Sequence, residues 1–151
     1  MKRTVSSVFA AVALMILVLA APATAAPQTY HATFVEIDGD VGGSSCGTAT
    51  VSTFGHVANQ CVVFDACGVN CHERTITFDD GSTLEIIESV VGVTTHGNSA
   101  GFLEITQTIA GGTGRFAGAE GSGVGIVNLN AGAVIIASGT IILAEDTELG
   151  H

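Results

Sequence analysis

The 151-residue chain has no tryptophan and one tyrosine, and only seven phenylalanines. Its interior must therefore be filled mainly by Val, Ile and Leu rather than by large rings. Basic residues are scarcer still: Lys2, Arg3, Arg74 and Arg115 stand against 14 acidic residues. Such a surface repels phosphates, which sets nucleic acid and anionic membranes aside as partners. Beyond the first 25 residues no window shows the three-to-four residue apolar period of an amphipathic helix, and this excludes a helical fold class. A glycine phosphate-binding loop is excluded too, because Gly112, Gly114 and Gly118 have the wrong last interval and no lysine follows Lys2.

What is present begins with Met1-Lys2-Arg3, an apolar run from about Val8 to Ala21, and the small residues Ala23-Thr24-Ala25. This is the order of charge, apolar core and cleavage site in a secretory signal peptide, and the run is too short for a retained membrane span. The expected organisation is a signal peptide over residues 1–25 and one secreted domain, extracellular or periplasmic, over residues 26–151. With Lys2 and Arg3 removed, two basic residues face all 14 acidic ones, a formal charge of −12. The blander consequence is solubility for a chain rich in Val, Ile and Ala; the sharper one is attraction of cations.

Cys46, Cys61, Cys67 and Cys71 all follow the cleavage site, and an even count in an exported protein argues for two disulfides. Three pairings are open. A hairpin turning near Phe54-Gly55 would set Cys46 opposite Cys61 and leave Cys67 to close a small loop with Cys71.

Alternation and turn residues mark about eight strands. They are Tyr30 to Ile37, Thr48 to Phe54, His56 to Phe64, Arg74 to Phe78, Thr83 to Thr95, Phe102 to Ile109, Gly121 to Leu129 and Ala133 to Leu143. Asp79 to Ser82 holds the Asp-Gly pair that favours tight hairpins. Asp65 to Glu73 reads as the least regular stretch, and Ala144 to His151 as an acidic tail. The fold class is all-β: a single antiparallel β-barrel of about eight strands, with a β-sandwich as the alternative.

The stretch Gly111-Gly112-Thr113-Gly114-Arg115-Phe116-Ala117-Gly118-Ala119-Glu120-Gly121 is a glycine turn feeding a strand. Gly121, Gly123 and Gly125 then recur at every second residue, baring one face of that strand for a backbone, a bulky side chain or a ligand. The block resembles the G-G-T-G-x-F-x-x-A-x-G motif of the allene oxide cyclase and dirigent barrel superfamily, and its small secreted bacterial relatives more closely still. In that family the turn precedes one of the last strands of an eight-stranded antiparallel barrel, so the resemblance tips the choice from sandwich to barrel. The expected structural turn residues are Gly111, Gly112, Gly114, Gly118 and Gly121. Plant dirigent proteins carry an arginine where this chain has Glu120.

Few residue patterns point to chemistry. Cys67 to His72 comes close to a haem-attachment motif, but its spacer holds three residues where two are usual, and a disulfide loop explains it better. Gly97-Asn98-Ser99-Ala100-Gly101 matches a nucleophile elbow in letters only, since strands flank it on both sides. Asp38-Gly39-Asp40 opens like a calcium loop without the glutamate that would close it. No metal and no cofactor is expected.

Polar residues lining a barrel would be the acid, base or ligand contacts of such a fold. Tyr30 and His31 lie on opposite faces of the first strand, so one of them looks inward. The residues considered for inward positions are His31, Glu36, Glu85, Glu88, Glu104 and Arg115, of which His31, Glu85, Glu104 and Arg115 are the ligand-binding candidates. Three functions follow as expectations: binding of a small apolar molecule or a scaffold role, cyclase-like steering of a small substrate as an isomerase would, or a packed barrel acting through its surface.

Overall fold

The computed structural model describes residues 25–37, 42–54, 56–96 and 99–144. The signal-peptide stretch through Thr24, the Asp38-Gly39-Asp40 motif, Gly97-Asn98 and the tail after Ala144 lie outside the described residues.

Eight strands follow one another around a closed barrel: β1 (Gln28–Glu36), β2 (Ser44–Val51), β3 (His56–Gly68), β4 (Cys71–Thr77), β5 (Thr83–His96), β6 (Ser99–Gly112), β7 (Glu120–Asn128) and β8 (Val134–Ile142). Every neighbouring pair is antiparallel, and β1 pairs back onto β8, so no strand is left with an unpaired edge. The barrel, rather than the sandwich, is the architecture. Alternation makes it: on β1, Tyr30, Ala32 and Phe34 are buried while Thr29, His31 and Thr33 are exposed.

Both disulfides are formed, Cys46 with Cys61 and Cys67 with Cys71. The first joins residues directly opposite each other in the β2–β3 register. The second closes the β3–β4 hairpin around Val69-Asn70.

Two details go beyond the expectation. Asp65 to Glu73 is irregular as expected, yet it belongs largely to strands, since β3 runs on to Gly68 and β4 starts at Cys71. The extra chain length is absorbed in a bulge, where the register shifts between Val63 and Gly68 and Asp65 takes a φ of 55°. β2 stops at Val51, and Ser52–Phe54 forms a short 3₁₀ turn that swings the Phe54 ring against the core.

The bare face of β7 points inward and is covered by a side chain and by neighbouring strands. A methyl group on Gly123 would run into the Tyr30 hydroxyl and come within 2.7 Å of the Ser138 carbonyl. One on Gly125 would lie 3.1 Å from the Ala137 Cβ. Glycine at these positions lets β8 and the Tyr30 ring come as close as they do.

Candidate functional site

The two ends of the barrel are built differently. At one end the glycine turn folds over the β4–β5 hairpin: Gly111, Gly112, Gly114 and Gly118 all have positive φ, and a methyl on Gly114 would lie 2.8 Å from the Ser82 Cβ. The Thr113 amide donates to the Thr83 carbonyl (2.9 Å), and the Thr83 amide donates to the Thr113 hydroxyl (3.1 Å). This carries Phe116 into the barrel, fully buried, where its ring meets Phe54 edge-on at 4.9 Å and stacks on Phe78 at 4.8 Å. Three rings plug this end.

Arg115 roofs the plug from outside. Its guanidinium lies over the rings of Phe78, Phe116 and Phe54 at 4.7, 5.0 and 5.6 Å, and its Nε sits 3.4 Å from Asp80. Asp80 also accepts from the Ser82 hydroxyl and amide, and these bonds, with Arg115 as a smaller contribution, hold its carboxyl below the usual aspartate value.

Beyond the mid-section the interior turns polar. The Tyr30 hydroxyl donates to Gln107 Oε1 (2.8 Å), and Gln107 Nε2 donates to Glu88 Oε1 (2.7 Å). Arg74 clamps Glu88 with two bonds, Nε to Oε1 at 3.0 Å and Nη2 to Oε2 at 2.9 Å. Its Nη2 also donates to Glu36 Oε1 (3.1 Å), its Nη1 donates to Gln60 Oε1, and the guanidinium lies 4.6 Å over the Phe34 ring. Arg74, Glu88, Gln60 and Gln107 are each exposed by 2% or less. Burial, reinforced by the negative charge of Glu88, pushes the Tyr30 hydroxyl up to about 12. Gln60 Nε2 and the Ser45 hydroxyl are buried without a hydrogen-bond partner among the described residues.

Above this network, toward the far end, lies a cup of about 120 Å³. Arg74 and Glu88 form its floor; Val62, Val90, Leu103, Ile105, Val127 and Ile135 contribute apolar wall; Glu36, Phe64, His72, Leu129 and Ala133 complete it. His72 is held edge-on to Phe64 at 5.4 Å, and its Nδ1 accepts the Asp65 amide at 3.0 Å. The bulge and the Cys67–Cys71 bridge thus position one wall of the cup. Larger grooves of about 440 and 310 Å³ lie on the outer wall, but no network of buried charges converges on either. Convergent polar groups in an apolar concavity, not size, mark a site.

None of the four ligand-binding candidates faces this interior. His31 points outward into solvent from β1, Glu85 borders an outer groove of about 240 Å³ between β4 and β5, Glu104 borders the 310 Å³ outer groove, and Arg115 lies on the plug. The physical reason is strand parity: His31 shares its face with Thr29 and Thr33, and Glu104 shares its face with Thr106, whereas the inward faces carry the apolar residues. Of the wider set, Glu36 and Glu88 do face inward.

Arg74, Gln60, Gln107 and Tyr30 complete the site, and a signal for them exists in the sequence. Each sits on the apolar parity of its strand: Arg74 two before Ile76, Gln60 between Ala58 and Val62, Gln107 between Ile105 and Ile109, Tyr30 two before Ala32. A polar residue interrupting an apolar face is the mark of a buried network. Compared with family models, curated proteins and solved structures, the chain matches none.

Proposed function

We propose that this is a small-molecule binding protein whose cup receives the apolar part of a ligand against a polar floor. The observation that carries the reading is the Arg74–Glu88 pair, buried at the bottom of a mostly apolar concavity. Burying ionised groups costs several kcal/mol each, and a well-packed apolar core of the same volume is often at least as stable, so selection for stability alone does not favour such a floor. At about 120 Å³ the cup falls below the roughly 300–1,000 Å³ of sites that enclose a drug-sized ligand. It suits a short molecule, or one end of a longer one.

Two further points belong to this reading. The disulfides and the apolar leader fit a protein exported to an oxidising compartment. The glycine motif, now seen as the turn over the plugged end, together with the eight-strand barrel, supports kinship with the allene oxide cyclase and dirigent barrels at the level of fold. Chemistry does not follow from fold.

The test is an NMR titration with 1-hexanol. Methyl signals of Val62, Val90, Leu103 and Val127 are expected to shift while those of the outward Val57 and Ile136 stay still, and Leu103→Trp, which fills the cup, is expected to abolish the shifts. Shifts on the outer wall alone, or none at all, would remove the basis for a binding cup.

A further inference from the structure

Resting on that reading, we infer that the cup selects a ligand carrying a cationic amine on a short apolar body. Three observations on the floor and wall point the same way. First, the charges around Arg74 are unbalanced: Glu88 on the floor and Glu36 on the wall meet one guanidinium, leaving one formal negative charge unmatched in a largely buried setting. Second, Arg74 has little left for an anionic ligand. Its Nε and both Nη atoms already donate, with two bonds to Glu88 and one each to Glu36 and Gln60. A carboxylate or phosphate entering the cup would meet two like charges and a guanidinium that is already engaged.

Third, Glu36 reaches the cup from its wall with only one oxygen engaged among the described residues. Its Oε1 takes the Arg74 bond, and its side chain is 9% exposed, so an ammonium in the cup finds a carboxylate already oriented by Arg74 and shielded from bulk water. A charge-assisted bond in such a place is stronger than one on an exposed surface. The acidic surface of the whole chain raises the local concentration of cations and so speeds their arrival, but it does not by itself choose an amine. The apolar wall supplies that selectivity by requiring a hydrocarbon body.

The experiment uses the full chain at pH 7 and three probes of one length: hexylammonium, 1-hexanol and hexanoate. Binding is read from the cup methyls at low and at raised salt, since salt screens attraction by the outer surface far more than a buried contact. Hexylammonium is expected to bind about tenfold tighter than hexanol at both salt concentrations, with hexanoate weakest. Glu36→Gln is expected to bring the amine to within about twofold of hexanol. Equal affinity for hexanol and hexylammonium, a preference for hexanoate, or an amine preference that vanishes in salt would overturn the amine inference while leaving the cup in place. Failure of all three probes to move the cup methyls would overturn the binding reading itself. Should Glu36→Gln not fold, the wild-type series alone decides.

Discussion

Residues 26–151 contain just two basic side chains, and the barrel uses them in opposite ways. Arg115 lies outside a plug of three phenylalanines, a third exposed, with Asp80 as an exposed partner. Arg74 lies inside, 2% exposed, with two carboxylates and a glutamine around it. The plugged end is held by apolar packing and needs no charge, so its arginine is an addition. At the cup end the arginine is the hub on which the neighbouring polar groups depend. The same residue type is therefore an exposed addition at one end and a buried hub at the other, and burial makes the difference.

The largest effects should fall on the interior of each end. Arg74→Met leaves Glu88 buried without a counter-charge, holding only its Gln107 bond, and Gln60 Oε1 without its donor, and is expected to cost about 3–5 kcal/mol in denaturant unfolding. Adding Glu88→Leu to it should restore most of that loss; a double variant as unstable as the single would show that the charges are not what makes the site costly. Phe116→Ala at the plugged end should also cost about 3–5 kcal/mol, through a cavity rather than an orphaned charge, and no second polar substitution should rescue it.

Next in size is an alkaline titration that reports on the network alone. Tyr30 is the only tyrosine and there is no tryptophan, so phenolate absorbance has a single source. Its folded pKa of about 12 lies above the ordinary tyrosine value of 10.0, so the stability it contributes is fully present below pH 10 and is lost as pH rises through about 12. Native protein should show the phenolate band only near pH 12, and protein in denaturant near pH 10. A native titration near 10 would mean that Tyr30 is not buried against Gln107 and Glu88.

The smallest effect sharpens the contrast from the other side. Arg115→Ala removes an exposed ring contact and a partly solvated ion pair, and about 1 kcal/mol is the expected cost. A loss as large as that of Arg74→Met would erase the distinction between the two ends.

Much of the fold was legible before the structure because strand alternation is a local property. Tyr30, Ala32 and Phe34 announce an inward face within five residues, and the Cys46–Cys61 pairing follows from a hairpin whose turn is visible. The candidate site was legible only in part. Residue type alone points to Glu36 and Glu88, which do face inward, but equally to His31, Glu85, Glu104 and Arg115, which do not. Parity within each strand would have sent His31 and Glu104 outward and drawn Arg74, Gln60 and Gln107 inward.

What the amino-acid sequence determined alone is the set of strands, their two faces and the glycine turn, since each depends on neighbours a few residues apart. Which polar residues meet was decided by closure of the barrel: Glu36 and Arg74 are 38 residues apart, and Tyr30 and Gln107 are 77 apart. Those pairings depend on register summed around eight strands and on bulges such as the one between Val63 and Gly68, which no local pattern encodes. The same is true of the contrast between ends, because a ring becomes a plug and a carboxylate becomes a cup wall only once the ribbon has wrapped shut.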